Sequence, residues 1–571
     1  MKTFRKLLVA NRGEIAIRVF RAATELGIGT VAIYAEEDRL SLHRIKADEA
    51  YLVGKGKRPI DAYLDINDII RVARQADVDA IHPGYGFLSE NPEFADACAA
   101  AGITFIGPSS DIMRKLGNKV QARDLATAAD VPVMPATVPL PEDEGETKRL
   151  AAEVGYPVML KASWGGGGRG MRVIESEDEL IHNVKAARRE AKAAFGKDEV
   201  YLEKLVTQAR HVEVQILGDS QGNVVHLYER DCSVQRRHQK VVERAPAPYL
   251  TPDKREELCN AALRLARHAN YVNAGTVEFL QDANTDEFYF IEVNPRIQVE
   301  HTVTEAITGL DIVKAQIAIA AGAAIGTVES GIPVQDDIML RGHALQCRVT
   351  SEDPRNNFIP DYGHIVAYRS PSGPGIRLDG GTAYSGALIT RHFDSLLVKV
   401  TAWGPTEKEA ISRMRRGLYE FRIRGVETNL LFLQTLIDHP KFQNAEYTTR
   451  FIDDTPELFH FPYRRDRATR LLRFIGEVIV NGNPEVKGRP APVRLKEPEL
   501  PVFDYSDPKP GSRQKFEELG AEGFAKWMLD QKRVLMTDTT FRDAHQSLLA
   551  TRMRSYDMER VAPAYARMLP E

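Results

Sequence analysis

The chain has 571 residues, 43% of them hydrophobic and 27% charged, with a net charge of -4. Such a length predicts roughly three to five domains, the composition is that of an ordinary soluble globular protein, and the acidic balance argues against nucleic acid as the main partner. Four scattered cysteines (Cys98, Cys232, Cys259, Cys347) form no CxxC pair, which fits a reducing compartment and offers no zinc site.

The opening MKTFRKLLVANRGEIAIR has too short an apolar run for a signal peptide, and the most apolar tract, 315–326, is too short for a bilayer. No membrane association is expected, and a cytoplasmic location is. Short buried strands are predicted at 6–10, 30–34 and 78–81 with helices at 14–26 and 67–75, the pattern of a parallel α/β unit. The turn after the first strand, Asn11-Arg12-Gly13, lacks a G-x-G-x-x-G fingerprint, so no dinucleotide site is expected there.

A second region, about 119–330, carries Gly165, Gly166, Gly167, Gly168, Arg169 and Gly170 between the strand patterns YPVMLKAS and MRVIES. Glycines let main-chain N–H groups approach phosphate oxygens, but the run has no Walker GK[ST] ending, and alone it reads more readily as a flexible surface hairpin. Lys161 just before it and Lys119 in GNKVQAR add two ammonium groups for phosphate charge. The stretches 200–206 and 211–217 are extended, with a backbone edge suited to adenine; His211 faces a ribose or is an ordinary surface histidine. Arg236, Arg237, His238 and Lys240 crowd together as an anion site or a solvated basic patch.

Residues 290–305, FIEVNPRIQVEHTVTE, carry the densest chemistry. Glu292, Asn294, Arg296, Gln298 and Glu300 fall at every second position, which in an extended segment sends all five to one face. That face offers oxygens for a hard cation, a guanidinium for an anion and a carboxylate able to take a proton. A half-buried strand with a solvated polar face is the plainer alternative. Glu278, flanked by apolar residues in GTVEFL, pairs with Glu292 as a magnesium-binding candidate.

A third region, about 335–452, has the strand patterns HALQCRV and LLVKVTAW and a helix at 406–420. Residues 484–511 read as a Pro-rich connector, followed by a helix near 513–530 and by VLMTDTTFRDAHQSLLATR, which looks like the start of a new domain.

Taken in order, KLLVANRGEIAIR, HPGYGFLSEN, KASWGGGGRGMRV, RRHQKVVERAP and EVNPRIQVEH resemble the ATP-grasp enzymes of the biotin carboxylase family over about residues 1–452. FRIRGVETN, RRDRATRLL and TDTTFRDAHQSLLATR further resemble those members that carry a pyruvate-using carboxyltransferase barrel in one polypeptide, and set the chain apart from acyl-CoA carboxylase subunits. The resemblance implies a multidomain α/β and α+β fold. Its parts are an N-terminal α/β domain (1–118), an ATP-grasp domain with a glycine-rich lid (119–330), a C-terminal domain (331–452), an allosteric and linker region (453–530), and the first strand of an incomplete TIM barrel (531–571).

By the same resemblance, Lys119, Lys161 and the 165–170 loop hold ATP phosphates, and Glu203, Lys204 and Val206 line the adenine pocket with His211, Gln235 and His238. Glu278, Glu292 and Asn294 would coordinate two magnesium or manganese ions. Arg296, Gln298 and the Val299 N–H would hold bicarbonate within reach of Lys240; Glu300 would be the base, and Arg348, with Tyr85 nearby, would face biotin. Asp543 matches a carboxyltransferase metal ligand, and Arg542 and Gln546 match pyruvate-site positions. Arg422, Arg424 and Arg467 match positions linked to an acetyl-CoA activator, or are plain surface arginines. A homo-oligomer is implied, tetrameric in full-length members. No (A/V)MKM-type segment occurs, so the biotin carrier is expected on a domain absent from this chain.

Overall fold

The computed structural model describes residues 1–163, 171–461, 467–483, 485, 487–490, 496–547 and 553–570. The first unit, Met1–Pro462, opens with a five-stranded parallel sheet in the order β3-β2-β1-β4-β5. Its strands are β1 (Lys6–Val9), β2 (Gly29–Tyr34), β3 (Glu49–Leu52), β4 (Ala80–His82) and β5 (Thr104–Phe105), with helices Gly13–Glu25 and Ile66–Gln75 where the periodicity predicts them. Leu7, Leu8, Val31, Ile33 and Ile81 are fully buried, as central parallel strands covered on both faces require.

A small antiparallel sheet follows, β7-β6-β8, from β6 (Val158–Ala162), β7 (Arg172–Ile174) and β8 (Val200–Lys204). Helices Glu144–Val154 and Glu177–Phe195 cover it, and Leu160, Leu180, Val184 and Leu202 form its own core. The predicted glycine loop between β6 and β7 lies outside the described residues.

The largest element is an eight-stranded sheet in the order β13-β12-β9-β10-β11-β14-β16-β15. Its strands are β9 (Ala209–Gly218), β10 (Val224–Arg236), β11 (Gln239–Ala245), β12 (Asn273–Asp282), β13 (Phe288–Asn294), β14 (His343–Thr350), β15 (Ile376–Gly380) and β16 (Leu396–Gly404). One ladder thus runs through both the 119–330 and the 331–452 regions, because β11 pairs with β14.

The alternation expected to run to Glu300 stops at Asn294, where β13 ends. Pro295 has no N–H for the ladder, and residues 299–300 form a turn into the helix His301–Thr308.

The second unit, Tyr463–Glu571, contains the helices Arg467–Asn481, Ser512–Asp530, Thr540–Ser547 and Ser555–Met568. Gly520 breaks the second of these with a φ of +68°. The barrel strand expected after residue 531 does not form: 534–539 are irregular, and Thr540–Ser547 is a helix. A strand needs ladder partners and buried faces, and the described residues supply neither here. Among them, Ala564 is the only buried apolar residue of this unit.

Candidate active site

Strand register builds the centre of the site. Glu278 on β12 lies directly opposite Glu292 on β13 and opposite Glu213 on β9, and Glu213 in turn lies opposite Arg230 on β10. Three carboxylates therefore stand abreast, an arrangement that like-charge repulsion opposes unless cations intervene.

Two cations do. Arg230, with no exposed side-chain surface, donates from Nε to Glu213 at 2.5 Å, from Nη1 to Gln215 and Thr304, and from Nη2 to Thr276 and Gln298. All five of its donors are thereby used. Lys240 on β11 places Nζ on Glu213, on Glu278 at 3.0 Å and on Glu300 at 2.6 Å, so its three N–H bonds are also taken. Any anion that reaches Lys240 must share it with these carboxylates.

Glu300, 2% exposed, is gripped from its other oxygen by Arg348 Nη2 at 3.0 Å. Arg348 on β14 also donates from Nε to Glu243 at 2.6 Å, and Gln346 donates to the second oxygen of Glu243. Burial pushes the Glu300 carboxyl up, but Lys240, Arg348 and Arg230 outweigh it and hold the group below its ordinary range. Glu213 and Glu278 are lowered in the same way, with burial overcome chiefly by Lys240.

Glu292 behaves oppositely. It has no hydrogen bond or ion pair among the described residues, and burial together with Glu278 pushes its carboxyl up. Five carboxylates (Glu213, Glu243, Glu278, Glu292, Glu300) face four cations (Lys240, Arg230, Arg348 and His211), and Glu292 is the carboxylate without one. A half-buried, unpaired carboxylate directly opposite another is a fitting place for a hard cation, with Asn294 two residues along the same strand.

His211 Nε2 stands 3.2 Å from Glu278, and Nδ1 lies 3.0 Å from the Gln235 amide. Burial disfavours the charged ring, yet Glu278 and Glu213 push its pKa up to about 9. Arg296 lies beside Asn294 Oδ1 at 2.9 Å and Glu90 at 3.2 Å, and Gln298 donates to Glu278 at 2.9 Å. Arg237 and His238 sit at the exposed tip of the β10–β11 hairpin with φ of 49° and 63°. Two left-handed residues give the two-residue turn its twist, at a conformational cost that glycine or asparagine would largely avoid.

The remaining predicted nucleotide residues lie on the small sheet and its approach. Lys161 on β6 pairs with Glu203 on β8, while Lys204 turns its ammonium onto the carbonyls of Gly155 (2.7 Å) and Tyr156 (3.2 Å). Val206 follows β8, and Lys119 opens the helix Lys119–Ala128, whose N-cap Asn118 accepts from Val120 and Gln121. Tyr85 donates its hydroxyl to Glu14.

Outside this centre, Arg422 and Arg424 are exposed on one short strand, and Arg467 starts a helix of the second unit. Asp543 lies on a helix rather than at a strand end, paired with Arg542 at 2.7 Å and accepting from Thr539 at 2.6 Å; Gln546 is exposed on the same helix. Sequence reasoning missed Glu213, Arg230, Glu243 and Glu90. Alternation in HVEVQIL puts Glu213 on the same face as His211, which was a usable signal.

This constellation, on this ladder, defines a family. The chain matches "Biotin carboxylase, N-terminal domain" over residues 3–113, "Carbamoyl-phosphate synthase L chain, ATP binding domain" over 118–328 and "Biotin carboxylase C-terminal domain" over 346–454, and it belongs to the biotin carboxylase family. Among curated relatives it is similar to pyruvate carboxylase of Bacillus subtilis (strain 168), 55% identical over all of this chain and 50% of that protein. It is also similar to the mitochondrial pyruvate carboxylase of Homo sapiens, 52% identical over 99% of this chain and 48% of that protein. The chain spans about half the length of the curated relatives it matches.

Among solved structures, a Rhizobium etli pyruvate carboxylase variant with acetyl coenzyme A aligns at a TM-score of 0.77 and 65% identity, covering 99% of this chain and 50% of that one. The biotin carboxylase domain of Hydrogenobacter thermophilus 2-oxoglutarate carboxylase, in complex with ADP, magnesium and bicarbonate, aligns at 0.76 and 45% identity, covering 81% of this chain and 100% of that one. No helix among the described residues is long and apolar enough to cross a membrane.

Proposed function

We propose that this chain carries out the ATP- and bicarbonate-dependent carboxylation of biotin through carboxyphosphate, the first half-reaction of a pyruvate carboxylase. The observation that carries the reading is Glu300 held ionised between Lys240 and Arg348, with Arg296 and Gln298 on the short segment between β13 and Glu300. An ionised buried carboxylate beside an anion site is suited to take the proton of bicarbonate as its oxygen attacks the γ-phosphorus and ADP leaves.

Lys119 and Lys161 would neutralise phosphate charge, and Glu203, Lys204, Val206, His211, Gln235 and His238 would surround the nucleoside. Magnesium or manganese held by Glu278, Glu292 and Asn294 would supply further charge neutralisation when bound. Arg296, Gln298 and the Val299 N–H would orient bicarbonate. Carboxyphosphate then releases carbon dioxide and phosphate, and Arg348 would stabilise the deprotonated ureido group of biotin that captures the carbon dioxide, with Tyr85 beside it.

In the full-length relatives the carboxyl group passes to pyruvate. Arg542, Asp543 and Gln546 belong to that second reaction, and acetyl-CoA would act through Arg422, Arg424 and Arg467. The test is steady-state phosphate release from Mg-ATP with and without bicarbonate and free biotin. Release should depend on bicarbonate and rise with biotin; equal rates in all conditions would refute the reading.

A further inference from the structure

The turn that follows β13 is anchored by two buried donors that sequence reasoning did not single out. His301 is fully buried, and its Nδ1 lies 2.7 Å from the Gln298 carbonyl oxygen. A carbonyl only accepts, so Nδ1 carries the proton. Burial, then Lys399, Arg377 and Arg18, hold this ring well below the ordinary histidine range, so it is neutral. Lys399, fully buried on β16, donates from Nζ to the Val299 carbonyl at 2.9 Å. Register sets Lys399 opposite Arg348, so these two neighbouring strands hold Val299 and Glu300 respectively.

Glu14 balances the Lys399 charge at 3.0 Å. It reaches that far because Gly381 lets two backbones touch: a Cβ at Gly381 would lie 2.4 Å from the Glu14 nitrogen.

In a trans peptide the carbonyl and the following N–H point in opposite directions. Fixing the Gln298 carbonyl therefore fixes the Val299 N–H, and fixing the Val299 carbonyl fixes the Glu300 N–H. Among the described residues neither N–H meets an acceptor. Two successive main-chain donors in a turn, free of acceptors among the described residues and three and four residues after Arg296, are suited to an anion.

We propose that His301 and Lys399 are positioning residues for bicarbonate, which turn the Val299 and Glu300 N–H groups toward the anion by holding the two carbonyls behind them. The inference rests on the bicarbonate reading above and adds to it a second main-chain donor and the pair that aims both.

The test uses the 571-residue chain and measures the KM for bicarbonate and for ATP separately. His301→Gln removes the donor at the Nδ1 position, whereas His301→Asn keeps an N–H there. Lys399→Met is made together with Glu14→Gln, so that no buried carboxylate is left unpaired. His301→Gln and the Lys399→Met/Glu14→Gln pair should each raise the bicarbonate KM about tenfold, while the ATP KM stays within about twofold; His301→Asn should stay within about threefold of wild type for both.

A merely structural role predicts both KM values rising together, or His301→Asn as impaired as His301→Gln, and either result overturns the inference. Should His301→Gln fail to fold, an unchanged bicarbonate KM in the double variant still overturns it. A wild-type chain whose phosphate release ignores bicarbonate sinks the underlying reading instead, and is told apart by needing no variant at all.

Discussion

Two groups of carboxylates share the eight-stranded sheet and meet opposite fates. In the middle, Glu213, Glu243 and Glu300 are matched by Arg230, Lys240 and Arg348, and every donor of Arg230 and Lys240 is committed. At the β12–β13 edge, Glu292 stands opposite Glu278 with no ion pair among the described residues, and burial and Glu278 outweigh the more distant Lys119 and His211. On the proposed reading, the protein supplies charge where a proton is moved and withholds it where a metal ion would supply it. A site assembled this way is half finished by the fold and half by what binds.

The largest effect should come from the finished half. Glu300→Gln keeps the shape but cannot accept a proton, and bicarbonate-dependent phosphate release should fall by ~10²–10⁴-fold while ATP still binds. Near-normal turnover would place the base elsewhere. Arg230→Met leaves Glu213 buried without its guanidinium and should cost about 3–5 kcal/mol of unfolding free energy in denaturant titration. A loss below about 1 kcal/mol would show that Lys240 alone compensates the carboxylate row.

The unfinished half should answer differently. Magnesium with ADP should raise the melting temperature of wild type, and Glu292→Gln should abolish most of that rise while melting higher than wild type when ligand-free near neutral pH. The sign follows from the raised Glu292 carboxyl: its contribution to stability is present below the unfolded-state pKa and is lost as pH rises through the folded value. A ligand-free Glu292→Gln that melts lower than wild type would break the contrast.

The smallest effect is the opposite slope on the acid side. Glu213, Glu278 and Glu300 are lowered, and burial brings the His43, His82 and His226 pKa values down to about 4. Groups lowered on folding stabilise above their unfolded pKa and lose that stability as pH falls. The ligand-free melting temperature should therefore decline as pH drops from about 6.5 toward 4, where the three histidines must charge. A flat profile over that window would mean the histidines titrate normally.

How much of this was legible follows from where the information sits. Periodicity placed the parallel unit at 6–82 and the strands bearing Glu278, Glu292 and Arg348, because those signals are local. It extended β13 to Glu300, since alternation continues through QVE; Pro295 ends the ladder, and Glu300 faces Lys240 from a turn. Arg230 and Glu213 went unnoticed because a charged residue inside a strand gives no sign of burial until the pairing of β9, β10 and β12 brings them abreast. The barrel strand failed for the converse reason: VLMTDTT has strand-like residues, but strands are made by neighbours.

The separate three-stranded sheet has a consequence for how such a molecule changes over time. Lys161, Glu203 and Lys204 ride on β6 and β8 with a core of their own, while Glu300, Lys240, Arg348, Arg296 and Gln298 are fixed to the long ladder or to the segment that follows β13. Substitutions in the small sheet would change Lys161, Glu203 and Lys204 without disturbing the spacing of Glu300, Lys240 and Arg348. What the small sheet would add to the nucleotide fit is thus free to drift apart from the ladder, whereas His211 and Gln235, on β9 and β10, tie the rest of that fit to the carboxylate row.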